Sequence, residues 1–200
     1  MSSKIKEVGE FFKTLLVIVA LALLLRDQVV QAFKIPSGSM IPTLQIGDHI
    51  LVSKFSYGLH LPFTSIRLAD FDPPKRGDIV VFTRPDDPNT LKDESADYLI
   101  KRVVAIAGDT VQVTGKKLYV NGVAKDEPYA IWQLNGIAEG EFPAQRVPEG
   151  RIFLLGDNRD NSKDSRFWDY PFIDIKRVKG KALIIYWSWD SLGRIGKLIR

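Results

Sequence analysis

Short runs of branched and aromatic residues, separated by turn-forming pairs, make up most of the chain after Leu44. They read HILVSKF, DIVVF, YLIKRVVAIAG, DTVQV, KKLYVNG, RIFLLGD and KALIIYWSW, with Gly-Asp, Asn-Gly and Pro-Pro pairs among the turn signals. Runs of this composition, bounded in this way, are typical of β-strands. Between Pro42 and Gly180, no segment long enough to form a helix shows the hydrophobic period of an amphipathic helix. The sequence therefore predicts a mainly β fold with an antiparallel sheet or barrel-like body.

A different pattern precedes this body. Leu15 to Leu25 reads LLVIVALALLL, which is 11 apolar residues without interruption. From Phe11 to Phe33 there are 23 residues, which as a helix would span roughly 34 Å at ~1.5 Å per residue. The hydrocarbon core of a bilayer is ~30 Å thick, and lysine or arginine side chains near the ends can reach its surface. We predict one transmembrane helix here; the alternatives are a cleaved signal peptide and a buried helix of a soluble protein.

Charges around the apolar run indicate its orientation. Three lysines precede the run, whereas Arg26 and Lys34 follow it. Because positive charge is enriched on the cytoplasmic side, this balance favours a cytoplasmic N-terminus. We therefore expect residues 1–33 to form a tail and membrane anchor, and residues 34–200 to form the β-rich domain.

Composition excludes several classes of function. The 200 residues carry a net charge of only +4, with bases and acids interspersed, so nothing indicates a nucleic-acid partner. The chain has no cysteine, which excludes disulfides, a thiol nucleophile and thiolate metal sites. Its two histidines form no metal-binding motif. We expect neither a metal nor a cofactor.

The segment FKIPSGSMIPTL, Phe33 to Leu44, contains the parts of a nucleophilic serine site. A catalytic serine needs a base to take its proton and donors aimed at the oxyanion. Ser39 is the candidate nucleophile, and the Ser37 hydroxyl and the Ser39 N–H are candidate oxyanion donors. Gly38 allows unusual dihedral angles between them. The alternative is a polar turn at the end of a membrane helix, since serine and glycine are common in turns.

Three side chains are candidates for the base. His49 and His60 have no acid at an informative spacing, so we interpret them as surface or packing residues. A lysine can act as a base when burial lowers its pKa from ~10.4 toward ~7–8. Lys101 lies in a strand-like, otherwise apolar run, and in a strand it faces opposite to Arg102. One of these two cations must then face an apolar environment, unless the strand lies at a sheet edge with its lysine reaching solvent.

A third cluster, GDNRDNSKDSRFWD, follows the run RIFLL directly. Its short polar side chains can satisfy their own backbone in nested turns, and Asp–Arg pairs can fix the geometry. It lacks the glycine and the final glutamate of a calcium loop. The alternative is a solvated loop with surface ion pairs.

Together, these segments resemble bacterial type I signal peptidases. PSGSMIPTL resembles the nucleophile box of that family, GDHILVSKFSYG the next box, RGDIVVF with DYLIKRVVAIAGD the lysine box, and GDNRDNSKDSR the last box. The resemblance covers Phe33 to about Trp168, in the order of the family. It implies a membrane-bound serine endopeptidase of the inner (plasma) membrane, with a periplasmic catalytic domain. Its partners would be the lipid bilayer and the signal peptides of exported preproteins.

The resemblance also implies roles for individual residues. Ser39 would be the nucleophile and Lys101 the general base, with Ser37 in the oxyanion hole and Ser162 bonded to the lysine amine. Met40 would shape the substrate pocket and the membrane-facing edge.

Two ion pairs complete the implied site. Asp164 would pair with Arg166 and Asp157 with Arg102, and the second pair would turn Arg102 outward and Lys101 inward. The sequence departs from the family after SRFW, where it continues DYPFIDIKRVKG, and Tyr129 to Gly150 matches no family feature.

Two other functions remain open at this point. A soluble Ser–Lys regulator that cleaves itself would share the dyad, but it would need a DNA-binding helical domain where this chain has an apolar run. A catalytically silent, membrane-tethered β domain would need no buried lysine at all.

Overall fold

The computed structural model of the chain describes residues 8–19, 30–60, 67–83, 98–132 and 140–200. The body is mainly β, as predicted. The polar, proline-bearing segment RPDDPNTLKDESADY, which the sequence predicts as a loop, lies almost wholly outside the described residues.

One antiparallel sheet of seven strands forms the centre of the body. Its strands, in spatial order, are β1 (Val30–Lys34), β2 (Asp48–Ser53), β13 (Val178–Ser188), β5 (Ile79–Thr83), β6 (Tyr98–Ile106), β11 (Arg151–Leu155) and β12 (Phe172–Asp174). Within the described part of the chain, β1 and β12 stand at the two edges, so the sheet is open rather than a closed barrel.

Two smaller sheets flank the central one. The first has the order β10 (Phe142–Arg146), β7 (Thr110–Thr114), β8 (Lys117–Val120) and β9 (Val123–Ala124), and the second pairs β3 (Gly58–His60) with β4 (Arg67–Asp70). Two-residue turns join β7 to β8 and β8 to β9. Both residues of each turn, Gly115-Lys116 and Asn121-Gly122, have positive φ, as the tight turns that match the twist of a hairpin require.

The hydrophobic core consists of three clusters, and β6 contributes to all of them. Ile100 belongs to the first cluster, Val104 and Ala105 to the second, and Val103 to the third. Both faces of β6 are therefore covered, which explains why this run is almost continuously apolar. The strand that contains Lys101 is a central strand and not an edge strand.

The N-terminal region is described only at its two ends. Residues 8–19 are helical and exposed along their whole length, and residues 20–29 lie outside the described residues. In the part of the chain that the structure describes, no helix has the length and apolar character needed to cross a membrane. The predicted helix from Phe11 to Phe33 was too long, because Val30–Lys34 is the strand β1, paired with β2 from Val30↔Ser53 to Lys34↔His49.

All seven strand-like runs of the sequence are strands in the structure. The strands that the sequence analysis missed are β1, β3, β4, β9, β10 and β12. Most of these are short, and β1 was assigned to the helix because its sequence, VQAFK, continues the apolar stretch. The turn-rich region from Tyr129 to Gly150 contributes β10 and an isolated bridge between Ile131 and Asn158.

We expect Gly180→Ala to destabilise the body by roughly 1–3 kcal/mol, the usual cost of overpacking. Gly180 lies in β13, where an added Cβ would clash with the Ser53 carbonyl oxygen and would stand 2.8 Å from Cγ1 of Val52. Urea unfolding of the full chain measures the change. Gly193→Ala is the matched control, since its nearest neighbour would be the Ser191 Oγ at 3.9 Å. Equal stability of the two variants would contradict the tight approach of β13 to β2.

Candidate active site

A short 3-10 turn, Gly38–Met40, carries Ser39. The turn follows β1 and is closed by backbone bonds from Ile41 to Gly38 (3.2 Å) and from Leu44 to Met40 (2.8 Å). Met40 and Leu44 are fully buried in the first core cluster. The turn is therefore fixed to the core from below, and its serine is only 8% exposed.

Lys101 brings its amine to this serine. The Lys101 Nζ lies 2.9 Å from the Ser39 Oγ and 3.0 Å from the Ile100 carbonyl oxygen. The lysine is 4% exposed, and burial lowers its pKa from the ordinary 10.5 to about 8, although the charges of Asp164 and Asp157 act in the opposite direction. With that pKa, about a tenth of the amine is neutral at pH 7. A neutral amine in contact with a buried hydroxyl is able to accept its proton.

Arg102, the neighbour of Lys101, makes a buried ion pair. Its Nε and Nη2 donate to the two Asp157 carboxylate oxygens at 2.8 and 2.7 Å, and its Nη1 donates to the Gly77 carbonyl at 2.9 Å. Its guanidinium also stacks on the Tyr129 ring, 3.8 Å from the centroid. Arg102 forms the predicted pair with Asp157. The expectation that its side chain points outward was wrong, because Arg102 is only 1% exposed. A second charge inside the fold is tolerated because it is paired and hydrogen-bonded.

The loop after β11, residues 156–166, contains the second ion pair. Both side chains of the Asp164–Arg166 pair are fully buried, with 2.8 Å between the Arg166 Nε and a carboxylate oxygen. The other Asp164 oxygen accepts the Gly156 N–H at 3.0 Å, and Arg166 donates to the Arg159 carbonyl at 2.5 Å. The pair therefore ties the two ends of the loop together.

Ser162 lies in this loop close to the Ser39 turn, but the structure shows no bond between its hydroxyl and Lys101. The Ser162 Oγ is buried and, within the described part of the chain, has no hydrogen-bond partner. A Cβ added to Gly156 would lie 2.5 Å from both the Ser162 Cβ and the Ser39 carbonyl oxygen, so the three residues are tightly packed. The Lys101 amine bonds the Ser39 hydroxyl and the Ile100 carbonyl, and the role of Ser162 stays a prediction.

Known proteins and a solved structure are similar to this chain. The family model "Signal peptidase, peptidase S26" matches residues 8–187. The chain belongs to this family. It is 36% identical over 215 residues to "Signal peptidase I" of Pseudomonas fluorescens, covering 91% of this chain and 73% of that protein. It is also 36% identical over 187 residues to "Signal peptidase I" of Leptolyngbya laminosa, covering 94% and 83%.

A crystal structure of a signal peptidase I from Enterococcus faecalis V583 is also similar. Its sequence identity to this chain is 29%, and the TM-score is 0.42. The superposition covers 56% of this chain and 98% of the other.

Two further residues predicted for the site of this signal peptidase family member, Ser37 and Met40, lie at the two ends of the turn. Ser37 immediately precedes the turn, is exposed, and makes no capping bond with it. Met40 is 0% exposed and packs in the core. The part of Met40 in shaping the membrane-facing edge stays a prediction. Its contribution to a substrate pocket stays a prediction.

The sequence analysis missed a brace behind the loop. Glu127 accepts from both terminal nitrogens of Arg159 at 2.7 Å, and Tyr129 donates to Glu127 at 2.9 Å. Backbone bonds join Ile131 to Asp157 (2.8 Å) and to Arg159 (2.9 Å). The partners from the two segments are about thirty residues apart in sequence, and the available signal was a glutamate and a tyrosine around the start of the segment that matched no family feature.

In the described part of the chain, neither Ser39 nor Lys101 forms a hydrogen bond with a histidine. His49 is half-buried, and its Nδ1 lies 3.5 Å from the Tyr186 hydroxyl. The His60 side chain lies outside what the structure describes. Among the described residues, no group of three His, Asp or Glu side chains is arranged to hold a metal ion.

We expect the free energy of unfolding of the wild type to rise with pH relative to Lys101→Met. Between the folded pKa of about 8 and the ordinary value of 10.5, the unfolded state holds the lysine proton more often than the folded state. Stability therefore increases with pH in this window. From pH ~7 to ~9.5 the gain is about 2 kcal/mol.

Urea unfolding of both full-length proteins across this pH range measures the difference, and subtraction cancels the other titrating groups. A constant difference would contradict the lowered pKa of Lys101.

Proposed function

We propose that this chain is a membrane-bound serine endopeptidase that removes signal peptides from exported preproteins through a Ser39–Lys101 dyad. The observation that carries the proposal is the 2.9 Å contact between the buried Lys101 amine and the Ser39 hydroxyl. Membership of the signal peptidase family supports the substrate class. A purely structural role for the lysine is disfavoured, because burying an amine without an ion pair lowers the stability of the fold. Buried groups with shifted pKa values are typical of functional sites.

The reaction begins with attack by Ser39 on the scissile carbonyl. Neutral Lys101 takes the hydroxyl proton as the Ser39 Oγ forms a bond to the carbonyl carbon, and the carbonyl π electrons move to the oxygen. The Ser39 N–H and the Ser37 hydroxyl stabilise that oxyanion. When the C–N bond breaks, the lysine ammonium gives its proton to the leaving amine. The signal peptide is now an ester of Ser39.

The second half repeats the chemistry with water. Neutral Lys101 takes a proton from a water molecule, which attacks the ester carbon, and the ammonium then returns the proton to the Ser39 Oγ. Ser162 is proposed to hold the amine during the cycle, because its buried hydroxyl is without a hydrogen-bond partner among the described residues and packs close to the Ser39 turn.

Substrate binding is proposed to use an edge of the central sheet. β1 is an edge strand and leads directly into the Ser39 turn. An extended peptide can add to such an edge by main-chain hydrogen bonds, with small pockets selecting small residues at −1 and −3 from the cleavage point.

We propose a membrane anchor near the N-terminus and a periplasmic location for the rest of the chain. The helix of residues 8–19 exposes Phe11, Phe12 and Leu16 at 62–70% of their surface, and the apolar run continues beyond it to Leu25. Burial of this run in the inner membrane would remove that surface from water. The charge balance then places residues 34–200 on the periplasmic side, where signal-peptide ends emerge.

Ser39→Ala and Lys101→Ala are each expected to lower the rate of preprotein cleavage at least about 1,000-fold, because either change removes one half of the dyad. Cleavage of a purified preprotein in detergent, followed by gel electrophoresis, measures the loss. Ser191→Ala and Lys117→Ala are matched controls, since both residues are exposed. If Lys101→Ala keeps most of the activity while Lys117→Ala behaves likewise, the dyad is refuted.

The pH dependence of kcat/KM should report the Lys101 amine. Because the neutral form is the base and its pKa is about 8, kcat/KM should rise roughly tenfold per pH unit below that value and level off above it. Initial rates on a fluorogenic signal-peptide substrate between pH 6 and 10 give the profile. A rate that keeps rising up to pH 10 without a plateau would contradict the lowered pKa of Lys101.

A further inference from the structure

Asn158 holds the turn that carries the nucleophile. Its backbone N–H donates to the Ser39 carbonyl at 3.1 Å, and its Nδ2 donates to the Gly38 carbonyl at 3.1 Å. Asn158 is 1% exposed. Two consecutive carbonyls of the turn are thus bound by one residue of the opposite loop.

The bond to the Gly38 carbonyl has a geometric consequence for the next N–H. The Gly38 C=O and the Ser39 N–H belong to the same peptide unit, which is planar, and in a trans unit they point in opposite directions. A side chain that fixes the Gly38 carbonyl on one side therefore fixes the direction of the Ser39 N–H on the other. That N–H is the backbone donor proposed for the oxyanion.

Asn158 is itself held from behind. It bridges to Ile131, and its neighbours Asp157 and Arg159 are paired with Arg102 and Glu127 respectively. Both ion pairs are buried, with side-chain exposures from 0 to 8%. The amide is therefore presented to the turn from a rigid support.

The chemistry of the side chain fits this task. An amide donates a hydrogen bond to a carbonyl without adding a charge near the developing oxyanion. An aspartate of the same shape would place an acceptor against the Gly38 carbonyl and a negative charge beside the site. The Asn158 Oδ1 is buried and has no partner among the residues that the structure describes, whereas the donor end of the amide bonds the Gly38 carbonyl.

We propose that Asn158 is a positioning residue that aims the Ser39 N–H at the oxyanion by fixing the peptide unit between Gly38 and Ser39. The inference rests on the proposed peptidase function and deepens it. Since removal of one oxyanion donor costs 10²–10³ in kcat in a serine protease, misdirection of this donor should cost roughly 10- to 100-fold. KM should change by less than about threefold, since ground-state binding does not need the oxyanion.

The test compares wild type, Asn158→Ala and Asn158→Asp with two inhibitors of the same sequence. A peptide aldehyde ending at the cleavage point is attacked by Ser39: the Oγ–C bond forms, the carbonyl π electrons move to oxygen, and the hydroxyl proton moves to the Lys101 amine. The corresponding peptide carboxylate, a cleavage product, forms no such adduct. Each variant is assayed at the plateau of its own pH profile, which removes any effect on the lysine pKa.

We expect both variants to lose kcat and to bind the aldehyde less tightly by a similar factor, with the affinity for the carboxylate nearly unchanged. Ser165→Ala is the control within the same loop, because the Ser165 Oγ bonds the Leu154 N–H at 3.0 Å and not the turn. It should lower the melting temperature without the selective loss of aldehyde affinity. Asn158→Asp keeps the size of the side chain, so it serves if Asn158→Ala does not fold.

Three results would overturn the inference: unchanged kcat in folded Asn158 variants, equal weakening of both inhibitors, or the same selective loss in Ser165→Ala. Failure of both variants to fold would also overturn it, since the role would then be structural. The proposed function is judged separately by wild type and Ser39→Ala. Wild type that does not cleave the substrate removes that function and this inference together.

Discussion

The contact between the buried Lys101 amine and the Ser39 hydroxyl inside the fold is the constraint on which the rest of this structure depends. The amine of Lys101 needs burial to lose its proton near neutral pH, and burial requires cover over the face of the strand from which the side chain leaves. β6 meets this requirement as a central strand that contributes to all three core clusters. The core therefore determines the basicity of the site as well as the stability of the fold.

Three buried ion pairs lie around this site. The Arg102–Asp157, Arg159–Glu127 and Asp164–Arg166 pairs surround the loop of residues 156–166 and are all buried. Such pairs add little net stability over an apolar core, yet breaking one leaves a charge without a partner. They are better understood as a device for geometry, since together they set the position of the loop that touches the Ser39 turn.

The sequence predicted the β class and seven strands because branched residues between turn pairs are a local signal. It also proposed Ser39 and Lys101, but only a family resemblance joined them, since 62 residues separate the two. Side-chain direction was harder to predict. Arg102 was expected outward because alternation along the strand turned it away from the inward-facing Lys101. The Glu127 brace was missed because its contacts are non-local, and β1 was missed because an apolar run before it obscured the change from helix to strand.

Alternation along β6 has a further consequence. Lys101 and Arg102 are adjacent, yet one serves the serine and the other anchors the loop, because neighbouring side chains of a strand leave on opposite faces. The alternation of side chains along the strand thus keeps the two cations in separate environments. Loss or gain of a single residue within β6 would exchange them, sending a permanent cation toward the hydroxyl and the titrating amine toward the aspartate. Length variation among such enzymes should accordingly be confined to the connections outside this strand.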